Sequence, residues 1–278
     1  MDAKSFKETQ HETWTAAAAG WRRNDSKLRA FMAPVAARMV RDLKPGQRVL
    51  DVASGTGEPA LEAAVRVGPN GSVLGTDFVP QMLELARETA STRGLRNVEF
   101  RVSDGEMLDL PEGAFDAATM RFGLMFMPDP LACLTRVHRA LKPGGALIVA
   151  CWAGPEENPW ASILMDVLRR HVEIPDPPPG APGLFAFADP NRLRSTATAA
   201  GFRDATVEKL SFTMVDFPSG KDFVTYQLDL AGPIAHLFEK VPEPRRQAVL
   251  DEMASEAEQA GGIPVRLLGL TWILTAIA

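Results

Sequence analysis

Between residues 48 and 153 the chain alternates short apolar runs with stretches whose apolar positions recur at helical spacing. RVLDVA, SVLGTD, NVEFRVSD, FDAATMRF and ALIVACWA read as strands, whereas the segment ending near Val67, PQMLELARETASTR and DPLACLTRVHRALK read as helices. Strands alternating with helices of this length predict βαβ units and a parallel sheet. Pro80 and Pro130 suit the first helical turn, Asp129 is placed to cap, and Gly94 suits the residue after a helix end. Residues 8–43 carry helical spacing up to the breaker Lys44-Pro45-Gly46 and predict two or three leading helices.

The rhythm loosens after Trp152. Helices are expected near 159–171 and 190–200, separated by the stiff connector PDPPPGAPG at 175–183. DATVEKLSFTM reads as a strand, residues 218–262 as interrupted helix, and VRLLGLTWILTAIA as a final strand. An insertion between the last two strands would sit over the sheet edge where ligands gather in such folds. The expected organisation is one domain: a helical lid at 1–43, a core at 44–214, a helical insertion at 215–262 and a last strand at 263–278.

Composition narrows the partners. The 278 residues are 46% hydrophobic and 23% charged, enough to bury a full core. The first residues lack an apolar leader, and no run approaches the ~18 to 20 apolar residues of a membrane span, so a cytoplasmic protein without integral membrane association is expected. A net charge of −5 with scattered acids argues against nucleic acid, whose phosphates require clustered Lys and Arg. Cys133 and Cys151 have neither disulfide nor metal-ligand spacing, and no metal is expected.

The chemistry concentrates in DVASGTGEPA, residues 51–60. Its glycines can be read as a dinucleotide loop, with Asp77 lying 20 residues past Gly57 (77 − 57) where a ribose acceptor belongs. Asp51 before the loop and Glu58 after it weigh against a pyrophosphate, which seeks bare amides and positive potential. A cationic ligand is favoured, and S-adenosylmethionine (SAM) joins an adenine, a ribose diol and a tail bearing ammonium and sulfonium. An NAD-dependent oxidoreductase and a non-catalytic SAM-binding protein are the alternatives.

On VLDVASGTG, GTDFVPQML, VSDGEMLDLP and RALKPGGALIV, in that order, the sequence resembles the class I SAM-dependent methyltransferases, in the branch that includes the ubiquinone and menaquinone C-methyltransferases. The resemblance runs from about residue 45 to 153. It implies an α/β, Rossmann-like doubly wound sheet of seven strands, mostly parallel with an antiparallel last strand, plus helical lid elements. It further implies that Gly55 and Gly57 cradle the methionyl part with Asp51 near its ammonium, and that Ala53 stands where glycine is common. Asp77 would take the ribose hydroxyls, Phe78 and Met82 would pack near the adenine, and Asp104 would accept from its amine beside Gly105 and Glu106. Arg121 would contribute mainly through its carbonyl, and Val79 leaves the following helix without the usual Ser or Thr cap. Trp14 and Trp21, seven apart, can share a helix face, and Trp21 is the aromatic expected over the cofactor.

Methyl transfer from a sulfonium is an in-line displacement that depends on alignment and exclusion of water, so no catalytic triad is expected. His11 and His236, in the lid segments, are the candidates for a proton-handling role. MRFGLMFMPDP lacks the Asn- or Asp-Pro-Pro-aromatic signature of amide and adenine amine methylation. Phe122, Leu124, Met125, Phe126 and Met127, with Trp152 and Trp160, suggest an apolar wall for a hydrophobic small-molecule acceptor, methylated at oxygen, carbon or nitrogen.

Overall fold

The computed structural model describes residues 3–175, 178, 180–230 and 232–278. The connector expected at 175–183 lies partly outside them. Seven strands form one sheet in the order β3-β2-β1-β4-β5-β7-β6. These are β1 (Arg48–Val52), β2 (Ser72–Asp77), β3 (Val98–Val102), β4 (Phe115–Arg121), β5 (Leu141–Trp152), β6 (Arg203–Phe217) and β7 (Val265–Ile277). The pairings from β3 through β5 are parallel, while β7 runs antiparallel to both β5 and β6. The Rossmann-like architecture and the antiparallel last strand match the expectation.

Period-two side chains sort the core onto the two faces of the sheet. Val49 pairs with Ala117 and packs with α2 (Ala60–Val67) and α3 (Pro80–Thr92). Leu50 pairs with Ala118 and packs with α4 (Pro130–Ala140), α5 (Pro159–His171) and α6 (Pro190–Ala199) on the opposite face. The expected caps are present: Asp129 accepts from the Ala132 N–H at 2.9 Å, and Gly94, at φ +67°, follows the end of α3. The helical insertion between β6 and β7 comprises α7 (Gly220–Leu230), α8 (Gly232–Glu239) and α9 (Arg246–Gly261).

The leading segment corrects the expectation of two or three helices. It is one helix, α1 (Ala3–Val40), which runs through Pro34 and stops before Lys44-Pro45-Gly46. Val35, Ala36 and Met39 are buried just past Pro34, and this packing holds the helix together where proline removes a donor.

Strand order reverses between β1 and β4, so the crevice beyond their carboxyl ends is the topological switch point of the sheet. The segments after β1, β2, β3 and β4 all emerge there.

Candidate functional site

The loop after β1 is fixed by backbone bonds. The Ser54 N–H donates to the Thr76 carbonyl at 2.9 Å and the Gly57 N–H to the Ser54 carbonyl at 2.8 Å. Gly57 has φ +103°, and a Cβ there would lie 2.9 Å from Leu61 Cδ1, so only glycine fits. Ala53 also occupies the left-handed region, at φ +55°. Its methyl fits because the facing residue is Gly123, whose own Cβ would overlap it.

Asp51 is completely buried at the end of β1. Its Oδ1 accepts from the Thr119 hydroxyl at 2.6 Å, whereas Oδ2 has no hydrogen-bond partner. Burial pushes this carboxyl up to about 7, against the opposing pull of Thr119 and Arg121. A carboxylate held so, with one oxygen unsatisfied, favours a cation.

Asp77 ends β2 and is fixed from both sides: Oδ2 accepts from the Gly55 N–H and Oδ1 from the Val79 N–H, each at 2.9 Å. Burial raises this carboxyl as well, while those two amides oppose the shift. Val79 has no side-chain cap to offer α3, as expected, and the Asp77 carboxylate takes its amide instead. Met82 is buried with Val79, Ala17 and Ala18, and Phe78 packs partly buried against them. After β3, Asp104 caps a single 3₁₀ turn by accepting from the Glu106 N–H at 2.9 Å. A Cβ on Gly105 would meet Met127 Cε at 2.7 Å, so this turn lies close under the segment that follows β4.

Arg121 ends β4, and its Nε donates to the Glu58 carbonyl at 3.1 Å. Phe122 stacks flat on Trp152, with centroids 4.2 Å apart and planes at 4°. Trp160 and Phe212 extend this cluster. Leu124 and Met125, expected in the pocket wall, are instead fully buried core residues, because the short helical turn at 124–126 points them inward. Phe122, Phe126 and Met127 keep partial exposure.

Helix α1 lies along this edge. Trp14 contacts Trp21 and Phe126 edge-on at centroid distances of 5.8 and 5.5 Å, so the two tryptophans share a face as their spacing predicted. His11 meets Phe78 edge-on at 5.7 Å. His236 is not brought to this group: its side chain is 68% exposed on α8, facing Glu239 of the same helix. The Cys151 thiol is fully buried, and burial raises it far above the usual range.

Two residues of α1 escaped the sequence reading. Lys7 Nζ bridges Asp104 and Glu106, at 2.6 Å from each. Arg29 donates to Glu58 Oε1 at 2.6 Å and to the Thr56 carbonyl at 2.8 Å. Their sequence signal was the helical phase they share with His11 and Trp14. Arg29 also corrects the argument from Glu58. That carboxylate is neutralised by Arg29, with Arg93 3.9 Å away, and α2 starts only at Ala60, so Glu58 presents no bare charge to a pyrophosphate. The case for a cationic ligand rests on Asp51.

Comparison with known proteins identifies the family of the chain. The model of the ubiE/COQ5 methyltransferase family matches residues 29–163. The chain is 36% identical over 166 residues to a demethylmenaquinone methyltransferase of Deinococcus radiodurans, covering 56% of this chain and 68% of that protein. It is 37% identical over 174 residues to one of Thermus thermophilus, covering 57% and 76%. The fold is similar to that of a SAM-dependent methyltransferase from Aquifex aeolicus, with a TM-score of 0.54 at 18% identity over 94% of this chain and 97% of that one. The chain belongs to the ubiE/COQ5 methyltransferase family and is a SAM-dependent methyltransferase.

Proposed function

We propose that the crevice beyond β1–β4 holds SAM and that the acceptor is a hydrophobic ring compound of the quinone type, methylated at carbon. The residues fit the cofactor's chemistry. Asp51 offers a buried carboxylate oxygen lacking a partner, and Asp77 and Asp104 supply acceptors at the ends of the next two strands. Asp51 would face the ammonium, the backbone of Ala53, Gly55 and Gly57 the methionyl part, Asp77 the ribose hydroxyls, and Asp104 the adenine amine beside Gly105 and Glu106. Phe78 and Met82 would pack against the adenine, Arg121 would line the methionyl end through its carbonyl, and Trp21 with Trp14 would close over the cofactor.

SAM supplies an already activated methyl group, so the chain's task is to align the acceptor and exclude water. The observation carrying the acceptor class is the partly exposed aromatic set of Phe122, Phe126, Trp14 and Trp21 flanking the crevice. Planar apolar rings are recognised by such faces. The relatives named as demethylmenaquinone methyltransferases support a quinone-type ring in particular.

The test is to incubate the protein with SAM and, in parallel, a reduced demethylated naphthoquinone, a phenol and an aliphatic amine. Mass spectrometry then locates the added methyl. A ring-carbon methyl on the naphthoquinone is expected; turnover of the phenol or amine alone would overturn the acceptor reading. No helix among the described residues is long and apolar enough to cross a membrane.

A further inference from the structure

We infer that Arg29 is a positioning residue for the cofactor loop, tying helix α1 to the backbone that cradles SAM. The inference rests on reading residues 53–58 as that cradle. Arg29 uses its guanidinium on four partners from three elements. Nη1 donates to Glu58 Oε1 at 2.6 Å, Nη2 to the Thr56 carbonyl at 2.8 Å and to the Thr89 hydroxyl at 3.4 Å, and Nε to Asp25 at 2.8 Å. Thr56 stands between the two loop glycines, so holding its carbonyl orients the Thr56–Gly57 peptide plane.

Glycines in the left-handed region have no steric preference to hold them there. The loop conformation is therefore held by hydrogen bonds, and besides the Gly57 N–H to Ser54 carbonyl bond the side-chain contacts to segment 56–58 come from few directions. Arg121 holds the Glu58 carbonyl from β4, and Arg93 of the chain after α3 reaches only to 3.9 Å from the Glu58 carboxylate. Arg29 alone among these three also grips a carbonyl inside the glycine pair. Its side chain is 18% exposed and that of Glu58 7%, so water competes little for these bonds.

Removing Arg29 has two effects that can be separated. One is structural: Glu58 loses its close partner and stays buried as a charge. The other is positional: the Thr56 carbonyl is released. Replacing Glu58 by an apolar residue cures the first effect and leaves the second.

The experiment compares wild type, Arg29→Met and Arg29→Met/Glu58→Leu by thermal melting and by calorimetric titration with SAM. Arg29→Met is expected to melt about 5 °C or more lower and to bind SAM roughly tenfold more weakly, as expected for a lost charged hydrogen bond. The double variant is expected to regain most of the melting temperature while its SAM affinity stays roughly tenfold down. In turnover assays KM for SAM rises and kcat changes little. A double variant recovering both stability and SAM affinity would make Arg29 merely structural, and an Arg29→Met protein with unchanged affinity would equally overturn the inference. Gly57→Val distinguishes failure of the underlying reading: unchanged SAM binding there means that the cradle lies elsewhere.

Discussion

Ala53 and Gly123 make a quantitative test of how the loop is packed. Ala53 adopts φ +55°, a conformation that costs an L-residue roughly 1–2 kcal/mol. Ala53→Gly removes this strain but gives back about 0.4–1 kcal/mol of unfolded-state entropy, so the single change should be neutral or stabilise by up to about 1.6 kcal/mol. Gly123 has φ −91°, which alanine adopts freely, yet a Cβ there overlaps the Ala53 methyl. Gly123→Ala should therefore cost about 1–3 kcal/mol through overpacking. With Ala53→Gly present, the nearest remaining side-chain atom is Met120 Cγ at 3.4 Å, an ordinary contact, and most of the cost should vanish. Urea denaturation of the four proteins gives the cycle, with equal slopes as the check on two-state behaviour. A coupling of roughly 1–3 kcal/mol is expected; one below about 0.5 kcal/mol would refute the steric account.

Three other predictions concern charge. Asp51 titrates near 7 in the native state against 3.8 in the unfolded chain, so the native state binds the proton more tightly: this contribution is complete below about pH 4 and is lost as pH rises through 7, at about 1.4 kcal/mol per unit. Urea midpoints at pH 5 and pH 8 should show the fall, Asp51→Asn should flatten it, and SAM binding, which favours the ionised form, should tighten with rising pH in the wild type only. Asp77→Asn places an amide where two backbone N–H groups need acceptors, and should cost about 1–3 kcal/mol and weaken SAM binding; unchanged urea midpoints would contradict the described role. Lys7→Met should leave global stability within about 1 kcal/mol, since the bridge is partly exposed, while amide exchange in the first turns of α1 accelerates; protection equal to wild type would mean that Lys7 does not hold the helix down.

The parallel core was legible because each strand and its following helix are contiguous and carry distinct periods, and because the glycine loop and the acids ending β1 and β2 lie within single short motifs. What the chain did not reveal depends on contacts between distant segments. Ala53 read as a mild departure from glycine, and only its pairing with Gly123 across the β1–β4 gap shows both the strain and the space that accommodates it. Glu58 read as a free charge because its partner lies 29 residues away on α1. Leu124 and Met125 read as pocket wall because hydrophobicity alone does not distinguish a core side chain from one facing a crevice.

The direction of α1 explains why one helix can serve both the core and the site. Ala18 packs with Val79 and Met82 at the start of α3, Arg22 pairs with Glu88 further along it, and Arg29 reaches Thr89. Helix α1 thus runs beside α3 in the same sense. Since α3 begins at the carboxyl edge of the sheet, the part of α1 before Ala18 must project past that edge, about 1.5 Å per residue. Lys7, His11 and Trp14 consequently meet the ends of β3 and β2 and the segment after β4, while Val35 and Met39 remain in the core. Helix α1 is therefore anchored by burial at one end and by a partly exposed lysine bridge at the other. Its first turns are the portion of α1 least held by burial.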